Sequence, residues 1–105
     1  VPDLNDIKVV PNPFNDKSVK FNWPGEENKL LFINLPLQCT IKIYTATGDL
    51  VKTIHHDDGT TEQAWNQVTD SNQLIYSGVY FFLVESDLGT KTGKFVVIQS
   101  SRLTN

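Results

Sequence analysis

The chain has 105 residues, of which 39% are hydrophobic and 20% charged, with a formal net charge of −3 at pH 7. A chain of this length can bury a core as one domain without disulfides or metals. Because phosphate binding needs a basic face, the interspersed and slightly acidic charge argues against a nucleic-acid partner. The longest apolar run, residues 79–84, is far shorter than the roughly 20 residues that cross a bilayer as a helix, so we expect no transmembrane segment.

The apolar residues are those that favour strands. Val, Ile, Leu, Phe and Tyr dominate, Met is absent, and alanine occurs only as Ala46 and Ala64, a composition typical of sheet. The single cysteine, Cys39, excludes an internal disulfide and leaves the cellular compartment open. It borders an apolar run without a basic neighbour, so we expect a small buried hydrophobe and not a reactive thiol.

The amino-terminal residues are polar, and the chain starts at Val1 without the features of a signal peptide. We interpret residues 1–6 as the end of a linker and the chain as a piece of a longer protein. Residues 7–10 predict a short strand. Two prolines within residues 11–15 predict a rigid corner that forms neither helix nor sheet ladder. We expect the side chain of Phe14 to pack into a core.

Two strands are predicted next. Polar and apolar residues alternate over residues 18–23, which predicts a half-buried strand with Val19, Phe21 and Trp23 on one face. Residues 30–35 also predict a strand, but their apolar run is nearly continuous, so the pattern leaves its buried face open.

Residues 40–54 give the clearest hairpin, with Gly48 in its turn to supply a positive φ. Its first strand should point Ile41 and Ile43 inward and Lys42 outward. The remaining elements are a polar loop at residues 55–61, a short strand at 62–66 carrying Trp65, a looped connection at 67–74 and a final strand at 93–98.

Six consecutive apolar residues follow the Ser77-Gly78 break, and they predict a central strand buried on much of both faces. About seven strands, with turns every eight to twelve residues and no helical window, predict an all-β fold. We therefore expect an immunoglobulin-like antiparallel β-sandwich over residues 7–98, followed by a tail at residues 99–105.

Candidate chemical sites are few. His55 and His56 are adjacent, and adjacent residues of an extended chain point to opposite sides, which argues against a zinc site. Asp57, Asp58 and Asp70 are weak candidates for calcium. The paired carboxylates lie in predicted loops without an apolar pocket to raise a pKa, so we predict no catalytic residue and no cofactor.

An aromatic platform for sugars is a further alternative. Trp23, Trp65, Tyr44 and Tyr76 could form one if their side chains were exposed. A tryptophan on an alternating strand of a small sandwich is more often part of the core, and this interpretation competes with the platform.

Several short motifs occur in one order along the chain. They are Pro11-Asn12-Pro13-Phe14-Asn15, Asn34-Leu35-Pro36, Thr40-Ile41-Lys42-Ile43-Tyr44-Thr45, Gly48-Asp49-Leu50-Val51-Lys52-Thr53-Ile54, Trp65-Asn66, Ser77-Gly78-Val79-Tyr80-Phe81 and Gly93-Lys94-Phe95-Val96-Val97-Ile98. From residue 7 to residue 98 the set resembles the C-terminal sorting domain of type IX secretion substrates, which overlaps with the immunoglobulin-like domain of the flagellar hook-capping protein.

The resemblance implies a non-catalytic sorting signal at the end of an exported protein. Such a domain is covalently linked to an upstream cargo domain, is recognised by secretion machinery at the outer membrane, and in many substrates is cleaved off as the cargo is anchored. It implies passage through the periplasm to the cell surface or exterior. A structural spacer or assembly module, or a carbohydrate-binding module, remains the alternative.

The resemblance also implies which residues are recognised: Gly48, Leu50, Val51, Ser77, Gly78, Val79, Tyr80, Lys94, Phe95, Val96, Val97 and Ile98. Relatives tolerate a polar residue where Leu83 stands, which implies that Tyr80, Phe82 and Val84 face the core. Val79, Phe81 and Leu83 would then form an outer apolar row. We expect recognition through a folded surface and through extension of an exposed terminal strand.

Overall fold

A computed structural model describes residues 4–10, 14–15 and 30–98. These residues form one 3-10 turn, Leu4–Asp6, and eight strands. The strands are β1 (Lys8–Val10), β2 (Phe14–Asn15), β3 (Leu30–Ile33), β4 (Cys39–Thr45), β5 (Leu50–His56), β6 (Gln63–Trp65), β7 (Gly78–Ser86) and β8 (Gly89–Ile98).

The strands make two sheets around one core. The small sheet has the order β1-β3-β6, and the large sheet has the order β2-β8-β7-β4-β5. All pairs are antiparallel except β2 with β8, which is parallel. The predicted β-sandwich is confirmed, with this one parallel pair added at an edge.

The hairpin of β4 and β5 forms as its sequence predicts. Gly48 has φ +96° in the turn, a left-handed conformation that favours glycine, and the Thr45 amide donates to the Asp49 carbonyl at 2.9 Å. Ile41 and Ile43 are fully buried, whereas Lys42 reaches Glu85 on the opposite face. In β3, Leu30 and Phe32 are the buried residues, which settles the face that the sequence left open.

The core is centred on the ring of Phe95. Its centroid lies 5.9 Å from Tyr80 in a stacked arrangement, 6.2 Å from Phe32 and 6.4 Å from both Trp65 and Phe82. Edge-to-face and offset contacts of this kind stabilise a core beyond the area that they bury. Residues of both sheets meet here, so the two layers share one hydrophobic cluster.

The prediction that residues 11–15 join no ladder is wrong. Phe14 pairs with Val97 and Asn15 with Ile98. The two prolines lack amide hydrogens, but Phe14 and Asn15 keep theirs, and an edge strand needs donors on one side only.

The prediction that a polar loop begins at residue 55 is also wrong, because β5 continues through His56. The His56 ring is buried. Its nitrogens contact Gln63 Oε1 at 2.9 Å and the Thr60 carbonyl at 2.7 Å. A histidine with both nitrogens partnered can be buried at the end of a strand without an orphaned polar group.

β7 is a central strand between β8 and β4, as predicted. Tyr80, Phe82 and Val84 are buried, which confirms the inward row, while Val79 and Phe81 are 40% and 41% exposed. The expectation that much of both faces is covered is therefore wrong for the outer row.

Several predictions fall on parts of the chain outside the described residues. These are the strand at residues 18–23 with Trp23, the side chain of Phe14 and the tail at residues 99–105. The limits of the domain stay a prediction.

Candidate functional site

The outer face of the large sheet carries a group of neighbouring apolar side chains, which we call the outer patch. It consists of Tyr44, Leu50, Val79, Phe81, Leu83 and Val96. Directly paired residues share one face of a sheet. Phe81 pairs with Tyr44, which pairs with Leu50, and Val79 pairs with Val96. The patch therefore crosses four strands, β5, β4, β7 and β8.

The outer patch remains partly in water. Leu50, Val79 and Phe81 are 51%, 40% and 41% exposed, whereas the inward residues of β7 are at most 7% exposed. Single exposed apolar residues are common, but a contiguous group of them on a sheet face is typical of an interaction site. Polar and charged residues surround the group, with Lys42 paired to Glu85 at 3.3 Å and Lys94 opposite Phe81.

The residues implied in recognition are divided between the surface and the core. The exposed residues are Gly48, Leu50, Ser77, Gly78, Val79, Lys94 and Ile98. Val51 and Val96 are half-buried, and Tyr80, Phe95 and Val97 are buried. In the folded domain only the first two groups can touch a partner. Tyr80, Phe95 and Val97 belong to the hydrophobic core, and their side chains present almost no surface to a partner.

Tyr80 illustrates this structural role. Its hydroxyl donates to the Tyr76 carbonyl at 2.8 Å, and burial raises the pKa of its phenol. The ring stacks on Phe95. Tyr80 thus holds the start of β7 against the core, next to the exposed residues Ser77 and Gly78.

The outer patch includes one residue that sequence reasoning assigned elsewhere. Tyr44 was a candidate for a sugar platform, but it lies between Leu50 and Phe81 in the sheet. Its neighbours depend on a register shift between Ile43 and Tyr44. A local pattern gives no signal for such a shift.

The three aspartates considered for calcium are held by different partners. Asp57 accepts from Gln38 at 3.3 Å, and Asp70 contacts Lys52 at 3.3 Å and the Thr53 amide at 3.2 Å. Among residues 4–10, 14–15 and 30–98, no three His, Cys, Asp or Glu side chains converge as a metal would require.

The carboxylate of Asp58 is engaged in hydrogen bonds within a local turn. It accepts from the Thr60 hydroxyl at 2.6 Å and from the Thr60 amide at 3.0 Å. These hydrogen bonds, with a smaller contribution from nearby His56, lower the pKa of its carboxyl group. Hydrogen bonding to the charged form produces this direction.

The aromatic platform for sugars is not assembled around Trp65. Its side chain is 3% exposed, and its indole N–H donates to the Val68 carbonyl at 3.0 Å. Tyr76 is 86% exposed, and Trp23 lies outside the described residues. Cys39 is buried as expected, and burial raises the pKa of its thiol.

The described residues thus form a β-sandwich with an aromatic core and an exposed apolar patch on one sheet. The model of the secretion system C-terminal sorting domain matches residues 8–99. The chain belongs to this family. No curated protein matches it.

Two solved structures share the fold. PorZ, described as an essential surface component of the type IX secretion system of Porphyromonas gingivalis, is 28% identical with a TM-score of 0.69, over 90% of this chain and 12% of the PorZ chain. Dimeric latent PorU from the same organism is 20% identical with a TM-score of 0.57, over 90% of this chain and 9% of its own. The chain thus spans about a tenth of these relatives.

The family gives the chain its role, a sorting signal for cargo of the type IX secretion system. This role indicates export to the cell surface or the exterior. Sorting domains of this family are not catalytic. Within the described residues, no helix is long and apolar enough to span a membrane.

Proposed function

We propose that secretion machinery at the outer membrane recognises this domain through the outer patch. The domain then acts as a sorting signal for a covalently linked cargo domain upstream. The exposed start of β7, at Ser77 and Gly78, and the hairpin turn at Gly48 border the recognised surface. The cargo crosses the periplasm with the sorting signal attached, and the signal is removed when the cargo is anchored. The domain itself performs no catalysis.

The observation that carries the proposal is the contrast in exposure along β7. On the inner face, the side chains of β7 pack into the core against aromatic partners. Val79 and Phe81 contribute little to that core, yet they remain large and apolar. Desolvating such residues stabilises a complex, and aromatic side chains are frequent hot spots of binding.

The proposal is tested by delivery of a reporter. The 105 residues are fused behind an inert reporter in a host with the type IX apparatus, and surface delivery is measured by antibody labelling of intact cells. We expect the wild-type fusion to reach the surface. With Val79→Glu and Phe81→Glu together, delivery should fall about tenfold or more, because charges replace the desolvated apolar contact.

A matched variant controls for added charge and lost apolar area. Leu37 and Leu88 are each 53% exposed and lie outside the outer patch, so Leu37→Glu with Leu88→Glu should be delivered like the wild type. Thermal denaturation of the purified domains checks that all three fold. Equal delivery of both variants would exclude the outer patch as the recognised surface.

The same experiment separates a sorting signal from a structural spacer. If the wild-type fusion stays in the periplasm while a verified sorting domain exports the same reporter, this chain is not a sufficient sorting signal. A spacer would then be the better description.

A further inference from the structure

A groove of about 400 Å³ lies between β1 and the edge of β8. It exists because the amino-terminal segment changes sheets, pairing as β1 with β3 in the small sheet and as β2 with β8 in the large one. Its walls and floor include Lys8, Val9, Phe82, Lys91, Thr92 and Lys94. Val79 and Phe81 do not line it, so it is distinct from the outer patch.

Part of the edge of β8 that faces this groove has no ladder partner among the described residues. From Gly89 to Gly93, β8 has β7 as its ladder partner, and the part of the chain that the structure describes supplies no second one. Leu4 lies near the start of this stretch at Gly89, and β2 pairs with β8 farther along the strand, from Val97. An edge strand presents a row of backbone donors and acceptors to any extended chain that enters.

The groove is basic although the domain as a whole is acidic. Among the described residues that line it are three lysines, Lys8, Lys91 and Lys94, and no carboxylate. Within the described residues, Lys8 and Lys91 form no salt bridge, in contrast to Lys42 and Lys52. With a net charge of −3 for the chain, this local excess of positive charge favours an anionic occupant.

We propose that the groove binds an extended acidic peptide segment of a partner protein, which adds a strand to the edge of β8. The backbone supplies the ladder, and acidic side chains pair with the lysines. Along the open stretch of β8, Gly89 to Gly93, there is room for about five residues at roughly 3.3 Å each. Phe82 and Val9 form an apolar floor, which suits a peptide that alternates acidic and aliphatic residues.

The test uses the full 105-residue chain and three synthetic peptides. The probe is acetyl-Glu-Val-Glu-Val-Glu-amide, compared with its counterpart in which Lys replaces Glu and with an acidic version N-methylated at alternate residues. We expect NMR shift changes at β1 and β8 with the probe. The basic and N-methylated peptides should bind at least about tenfold more weakly, since one lacks complementary charge and the other cannot complete the ladder.

Matched lysine variants locate the site. Lys8→Gln with Lys91→Gln should raise the Kd of the probe about fivefold, and less at high salt. Lys42→Gln with Lys52→Gln removes the same charge outside the groove and should leave the Kd unchanged. Equal weakening by both pairs would show that only net charge matters, and undiminished binding of the N-methylated peptide would exclude strand addition; either result overturns the proposal.

Discussion

The two faces of β7 carry residues of similar hydrophobicity but differ in what covers them. On the inner face Phe82 is 4% exposed, and on the outer face its neighbour Phe81 is 41% exposed. The inner ring lies 5.8 Å from Phe32 and 6.4 Å from Phe95. The outer ring lies in the row of Tyr44 and Lys94. Strand parity, and not residue type, decides which phenylalanine joins the core.

This difference separates folding from recognition. An aromatic ring that is buried on folding stabilises the domain. A ring that remains partly exposed can instead be buried when a partner binds, and its burial then stabilises the complex. We therefore expect the domain to keep its fold when residues of the outer row are substituted. Making the same substitution once on each face measures directly how much each face contributes to stability.

The largest expected effect is on the inner face. Phe82→Ala should lower the free energy of unfolding by about 3–5 kcal/mol, because it removes a buried ring from a packed aromatic cluster. Phe81→Ala, the matched change on the outer face, should lower it by about 1 kcal/mol or less. Urea denaturation of both variants measures the difference. Similar losses for both would mean that the outer row is part of the folding core.

An intermediate effect is expected where the inner face meets the groove. Gly93 pairs with Phe82 across the ladder, and a Cβ added at Gly93 would lie 2.6 Å from two atoms of the Phe82 ring. The ring is held by Phe32 and Phe95, so it cannot move away freely. Gly93→Ala should destabilise the domain by about 1–3 kcal/mol through overpacking.

A double variant isolates the cause of that loss. With Phe82→Leu in place, Gly93→Ala should cost much less, because the ring that it strikes is gone. An equal cost in both backgrounds would show that the alanine disturbs the strand itself. The free energy of unfolding from urea titrations decides between the two.

The local elements were predictable because their signals are local. Gly48 marks the hairpin turn, and alternation in β4 places Ile41 and Ile43 inside. The ladder between Phe14 and Val97 was missed because it joins distant parts of the sequence, and the prolines beside Phe14 give a local signal against it. Tertiary pairing overrides that signal.

The candidate sites depend even more on distant pairing. Val79 and Phe81 were assigned to an outer row, but the neighbours that make them a patch, Tyr44 and Leu50, follow from strand order and register. Lys8 and Lys91 line one groove only because their strands lie in different sheets that face each other there. No spacing in the sequence encodes that proximity.

The smallest expected effect is on the outer face, at the ion pair between Lys42 and Glu85. The Lys42 Nζ lies 3.3 Å from Glu85 Oε1, and the side chains are 33% and 42% exposed. Solvent screens such a pair, so Lys42→Ala should change the free energy of unfolding by about 0.5 kcal/mol or less. A double-mutant cycle with Glu85→Ala, at low and high salt, measures the coupling. A coupling above about 1 kcal/mol that persists in salt would mean that charge pairing on the outer face also stabilises the fold, and the separation between the two faces would fail.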